Sequence, residues 1–250
     1  MAPYRRLPAL VTTLLLVATS GLAADRPLTL EEVVAKARAA LAADPADLDK
    51  VKSVRLIFTA ADERSRPLNV TTLTLTAGGL RLQSTADRDR GFEVAVCAGR
   101  LEGWATTKAD ALSARSIRPV PYEEFKKLRD MARDDLAFFA APPAATGTAS
   151  YRGPSEVAGR KTHAVEYAYD GGLRITRHFD ATTFVLVASD QVTPKGGLQR
   201  QQVESLTTVA GIRFPAKETI YVDGKKSGEV SYDQIQVNPV LTPGLFDFPS

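Results

Sequence analysis

The sequence predicts an α+β protein built on one large, strongly curved antiparallel sheet of about eleven strands, an incomplete barrel, with helices covering its concave side. Two observations carry this. From about Val51 onwards apolar residues recur at every second position in short segments separated by Gly-containing turns, as antiparallel strands require. Only two segments show the 3.6-residue period of a helix of useful length. That is too few for a doubly wound α/β fold, which needs a helix between most strand pairs. The 250 residues, 44% hydrophobic and 24% charged, suffice for a sizeable core without metal or disulfide staples.

The chain opens on Arg5 and Arg6, an apolar run from Leu7 to Leu22, and then Ala23 and Ala24. This is the layout of a secretory signal peptide, so residues 1–24 are expected to be removed and residues 25–250 to form a single domain. Thr12, Thr13, Thr19 and Ser20 interrupt the run too often for a retained anchor, and the mature protein is expected not to span the membrane. Of 32 Lys and Arg, two lie in this segment, which has no acid, leaving 30 against 29 Asp and Glu. Such a balance gives no electrostatic reason to bind nucleic acid. The sole cysteine, Cys97, is far from the cleavage region and cannot be a lipid-attachment residue. Surrounded by Val94, Ala95, Val96 and Ala98, it reads as a buried small hydrophobe.

A first helix is expected over 30–43. Thr29 and Glu32 form a capping box, Leu28 can staple to Val33, and Leu30, Val33, Val34, Ala37, Ala40 and Leu41 make one stripe. The first strand starts near Val51, with Val54, Leu56, Phe58 and Ala60 on one face. Strands follow at about 67–77, 79–85, 91–98 and 100–107. A second helix, 122–139, begins after Pro121 with Glu123 and Glu124 at its positive end, and carries the stripe Phe125, Leu128, Ala132, Leu136 and Phe139. Pro142 and Pro143 stop it. The remaining strands are expected near 148–157, 160–169, 173–180, 183–192, 198–207, 212–222 and 227–237. The turns Asp170-Gly171-Gly172, Gly196-Gly197 and Asp223-Gly224 support these boundaries. A faint echo between Val157-Ala158-Gly159 and Val209-Ala210-Gly211 reads as repeated hairpin geometry.

Catalytic patterns are sparse: no nucleophile elbow, no His-Glu-x-x-His, no phosphate loop. His163 and His178 both fall on strands. His178 and Asp180 share a sheet face but have no third ligand nearby, and they read as a polar pair rather than a metal site. Glu123, Glu124, Asp134 and Asp135 read as a solvated helix face. The stronger signal is an apolar surplus on the sheet, to which Phe246 and Phe248 also belong. The candidates for lining a cavity are Leu56, Phe58, Leu73, Leu82, Phe92, Val94, Trp104, Tyr167, Tyr169, Ile175, Phe179, Phe214 and Ile220. Two helices cannot cover so many strands, and the uncovered apolar wall would hold an acyl chain or apolar peptide.

Several runs in the C-terminal half, Tyr151-Arg152-Gly153, Val157-Ala158-Gly159-Arg160 and the strand Ile175 to Asp180, resemble the LolA-like superfamily, which includes periplasmic lipoprotein carriers and RseB-type stress regulators. Val209 to Pro215, Tyr221-Val222-Asp223-Gly224, Ile235 to Pro239 and Leu245 to Pro249 look like that group's closing strands and tail. The resemblance implies an incomplete barrel plugged by helices around an apolar cavity, in the periplasm. It implies a non-enzymatic carrier or chaperone for a lipid or lipoprotein acyl chain, needing no cofactor, with an inner-membrane exporter as loading partner. The alternative it implies is an envelope-stress sensor or adaptor that holds a membrane signalling partner. An envelope hydrolase with a dispersed site is the third reading.

Overall fold

The computed structural model describes residues 26–87, 89, 91–193 and 195–249; the expected signal peptide lies outside them. Thirteen strands form one open antiparallel sheet. The first six, β1 (Ser53–Asp62), β2 (Pro67–Thr76), β3 (Arg81–Asp87), β4 (Phe92–Ala98), β5 (Gly103–Lys108) and β6 (Ser116–Pro119), run as one meander. The other seven, β7 (Gly147–Val157), β8 (Arg160–Tyr169), β9 (Arg174–Asp180), β10 (Leu186–Val192), β11 (Leu198–Val209), β12 (Ile212–Val222) and β13 (Lys225–Val237), run as a second. The meanders join through β1 and β13, so the edges of the sheet are β6 and β7. The strand count therefore exceeds the expected eleven. Periodicity missed β6 because it is four residues long, exposed throughout, and ends in a proline.

Three helices accompany the sheet: α1 (Leu30–Leu41), the single turn α2 (Ala46–Asp49), which the sequence reading did not anticipate, and α3 (Tyr122–Leu136). The capping box at the start of α1 is formed as expected. Glu32 N donates to Thr29 Oγ1 at 3.3 Å, and Thr29 N donates to Glu32 Oε2 at 2.8 Å. Val33 and Ala37 are the residues that α1 buries fully. The helix α3 connects the two edges of the sheet and ends three residues before its expected limit.

Phe138 (φ 45°) and Phe139 (φ 69°) follow α3 in the left-handed region, an uncommon conformation for bulky residues. Their burial and capping offset that cost. Arg38 of α1 donates through Nη1 to the carbonyls of Ala137 (2.9 Å) and Phe138 (3.2 Å), and Tyr167 Oη donates to that of Phe139 (2.9 Å). The double reversal sends the two rings to different places. Phe138 packs with Leu48, Val54, Leu75 and Ile212, while Phe139 packs with Val33, Tyr167, Leu173 and Phe179.

Hairpins set the register. The pairs Ala158-Gly159 (φ 48° and 79°) and Ala210-Gly211 (φ 50° and 79°) have the two consecutive positive angles of a type I′ turn. The echo in the sequence is thus the same tight turn used twice. Behind β3–β5 the chain's last segment is folded down, with Phe246 packed on Cys97 and Trp104 and joined there by Leu80, Leu82 and Leu245. Cys97 is fully buried, and burial pushes its thiol up to about 12.

Candidate functional site

One face of the sheet and α3 line a partly open cavity of about 610 Å³, within the range of ordinary small-molecule pockets. Alternation decides which side chains reach it. On β1, Val54, Leu56, Phe58 and Ala60 point in; on β2, Asn69, Thr71, Leu73 and Leu75; on β3, Arg81, Gln83 and Thr85. The second meander contributes Ile175, Phe214, Ile220, Val230 and Ile235, and α3 contributes Met131, Asp134, Asp135 and Leu136.

Among the residues singled out from the sequence, Leu56, Phe58, Leu73, Ile175, Phe214 and Ile220 line this cavity. Tyr167, Tyr169 and Phe179 are buried instead in a cluster with Val33 and Ala37 of α1 and with Phe139. Leu82 and Trp104 lie on the opposite face under the C-terminal segment, because their neighbours Arg81, Gln83 and Ala105 occupy the other parity. Phe92 and Val94 share strand parity with Val96 and Ala98, which pack against Phe125 and Leu128 of α3, but stay half-buried at the start of β4 and do not line the cavity. The wall is not uniformly apolar. Gln83, Thr85, Ser189, Gln191, Gln199 and Gln201 give one part of it a neutral polar surface.

The sequence reading missed the ionic part of the site. Glu123 and Glu124 are exposed on α3, as a solvated helix face requires, but Asp134 is not: it is 2% exposed. Arg177 of β9 grips it with both terminal nitrogens, Nη1 at 2.9 Å from Oδ1, and Tyr169 Oη donates to the same oxygen at 2.8 Å. The Arg177 guanidinium also lies over the rings of Phe139 and Tyr167, 5.2 and 5.0 Å from their centroids. Burial works against its charge, but Asp134 more than restores it. This pair ties α3 to the sheet through charges that would be costly to leave alone.

Asp135 differs from its neighbour: its side chain is exposed, and the space it is exposed to is the cavity it lines. Burial and the adjacent Asp134 push it up to about 6, with Arg81 and Arg177 opposing. Glu218 of β12 is also raised to about 6, by burial first and by Asp135, while a 2.8 Å bond from Tyr232 Oη acts against the shift. Arg81 is 6% exposed; its Nη2 donates to Gln83 Oε1 at 2.8 Å, and its Nε has no acceptor among the described residues. A signal for these groups was present in the sequence. Asp135 stands three residues after Ala132 and seven after Leu128, within the apolar stripe of the helix, and Glu218 shares strand parity with Ile220.

The histidines serve the fold. His178 Nδ1 lies 3.1 Å from Ser155 Oγ and its Nε2 3.0 Å from Asp190 Oδ2. This chain of Ser, His and Asp is saturated: Ser155 also meets Thr162 Oγ1 at 2.7 Å, and Arg200 donates twice to Asp190. Burial opposes the ionised form of Asp190, but Arg200 and His178 hold it down at about 2. The other residue of the pair, Asp180, accepts from the backbone of Thr182 and Thr183 in the turn after β9. His163 Nδ1 lies 2.8 Å from Tyr151 Oη, and its ring stacks on Phe184. Among the described residues no group of His, Cys, Asp and Glu is placed to hold a metal ion.

No family model matches the sequence, and no curated protein matches it. Solved structures do match in shape. A DUF1329 family protein from Desulfovibrio piger superposes with a TM-score of 0.54 at 13% identity, covering 88% of this chain and 97% of that one. A domain named for outer membrane lipoprotein sorting, from Vibrio parahaemolyticus, matches with a TM-score of 0.54 at 11% identity, covering 88% and 96%. A LolA superfamily protein from Nitrosomonas europaea matches more loosely, with a TM-score of 0.45 at 10% identity, covering 88% and 97%. The property shared with the first two structures is the fold.

Proposed function

We propose that this protein is a non-enzymatic periplasmic carrier or chaperone that shelters an acyl chain, of a lipid or a lipoprotein, in the cavity between the sheet and α3. One observation carries the reading: the chain's own side groups leave about 610 Å³ unfilled beside Leu56, Phe58, Leu73, Ile175, Phe214 and Ile220. Each methylene that a guest hides there gains about 0.8 kcal/mol. Curvature of the sheet supports it. Arg81 and Arg177 sit on strands seven intervals apart in the sheet order, roughly 33 Å if the sheet were flat. Both nevertheless line one cavity, which supports a sheet that curls around α3 as a half-barrel with the helices on its concave side.

In this reading a signal peptide exports the chain, no cofactor takes part, and an inner-membrane exporter is the loading partner. No helix among the described residues is long and apolar enough to cross a membrane. Release requires α1 and α3 to shift, which the Asp134–Arg177 pair and the Arg38 caps oppose. The domain named for lipoprotein sorting supports the reading only as a bearer of the same fold.

Mass spectrometry of lipid extracted from protein purified out of native envelopes tests it. Co-purifying acylated molecules, and displacement of a fluorescent acyl probe by them, are the expected results. A lipid-free protein that takes up no acyl probe overturns it. The adaptor reading has one feature in its favour: the edge strand β6 is exposed along its whole length, with Ile117 on it and Tyr122 nearby, and offers unpaired backbone to a partner strand. Capture of a single inner-membrane regulator, unaffected by filling the cavity, would favour that reading.

A further inference from the structure

An acyl chain needs only apolar walls, yet three ionisable groups of this cavity are left unused by the fold. Arg81 is buried, and its Nε–H finds no acceptor among the described residues. Asp135 accepts no hydrogen bond and joins no ion pair among the described residues, in contrast to the saturated Asp134 beside it. Glu218, 6% exposed, receives Tyr232 Oη and no cation. Arg81 and Asp135 line the same cavity and form no ion pair with each other. Arg81 and Glu218 are buried without a counter-charge, which is costly, and Asp135 is open to the cavity beside them.

We propose that the cavity takes an amphiphile with a zwitterionic head, its protonated amine held by Asp135 and Glu218 and its anionic group by Arg81. This inference rests on the carrier reading and adds the chemistry of the guest's polar end. The charges that face Asp135 come from several elements: Asp134 on α3, Arg81 on β3, Arg177 on β9 and Glu218 on β12, with the hydroxyl of Tyr232 on β13. Once Arg177 and Asp134 are closed on each other, Arg81 is the cation that confronts the two acids, since Arg213, which also lines the cavity, donates to the Ala40 carbonyl at 3.3 Å. A guest that is only an anion would meet Arg81 but add a negative charge beside Asp135 and Glu218. A guest that is only a cation would leave Arg81 unanswered. A head bearing both satisfies all three.

The test compares three probes of one acyl length on the delipidated protein at pH 7.5 and low salt. They are lysophosphatidylethanolamine (zwitterion), lysophosphatidic acid (anion) and the alkylamine (cation), each displacing a fluorescent acyl reporter. The zwitterion is expected to bind about tenfold more tightly than either of the others. Asp135→Asn should abolish its advantage over lysophosphatidic acid, and Arg81→Gln its advantage over the alkylamine. Equal binding of the three, or a preference for the anion, overturns the headgroup inference and leaves the carrier reading standing. Failure of every probe to bind overturns the carrier reading itself. Should Arg81→Gln fail to fold, the wild-type comparison and the Asp135→Asn variant still decide the matter.

Discussion

Asp134 and Asp135 are adjacent in the chain and differ in every physical respect that matters. Asp134 is spent on Arg177 and Tyr169, so Arg177→Met should strand a buried carboxylate and cost about 3–5 kcal/mol in urea unfolding. Adding Asp134→Leu should recover most of that loss. Asp135 works the other way. Its native carboxyl is raised to about 6 from the ordinary 3.8, so the folded state holds a proton that the unfolded state has already released. Its contribution therefore falls as pH rises between about 4 and 6, and Glu218 acts with the same sign, from 4.5 to about 6. Asp135→Asn removes the penalty. Allowing for the water that reaches the group, stability should rise by about 1 kcal/mol at pH 7.5 and not at pH 4. An equal gain at both pH values would refute the assignment. Reading the stripe Phe125, Leu128, Ala132, Leu136 as purely apolar hid this acid from the sequence analysis, although its spacing placed it there.

At the scale of elements, the strands and their turns were legible because their determinants are local. Period-two alternation located β1 to β5 and β7 to β13 within a few residues, and the capping box marked the start of α1. The four-residue β6 and the single turn α2 were not legible, since neither is long enough to show a period. Nor was the C-terminal segment's place on the back of β3–β5, which depends on contacts between Cys97 and Phe246 far apart in the chain. That contact has a chemical readout. With its thiol fully buried, Cys97 should be inert to an aromatic disulfide reagent in the native protein. Phe246→Ala should open the site, making Cys97 react under native conditions and lowering stability by about 3 kcal/mol. An unreactive thiol in that variant would mean that the segment does not guard it.

At the scale of the molecule, two meanders meet only where β1 pairs with β13, and α3 spans from one free edge of the sheet to the other. The cavity belongs to neither meander alone, since β1–β3 and β9–β13 both line it. Ala60 offers a way to fill it. Ala60→Trp places a large ring in the cavity from a wall position and should abolish acyl-probe uptake while the unfolding midpoint moves little. Uptake that survives the substitution would place the guest elsewhere. Of the cavity candidates read from alternation, Leu56, Phe58, Leu73, Ile175, Phe214 and Ile220 reach this space, while Phe179, Leu82 and Trp104 do not. Alternation separates two faces but does not say which of them is inward.

By itself the sequence determined where the longer strands and helices lie, where the tight turns fall, and that the sheet would be antiparallel, because each of these is decided by residues a few positions apart. Only the tertiary structure decided which face of each strand looks into the cavity, which acids are paired and which are left open, and what lies behind Cys97. Those outcomes depend on joining Val54 to Val237 and Asp134 to Arg177. Until such distant partners meet, a carboxylate on a helix stripe and one on a solvated face cannot be told apart by any local force.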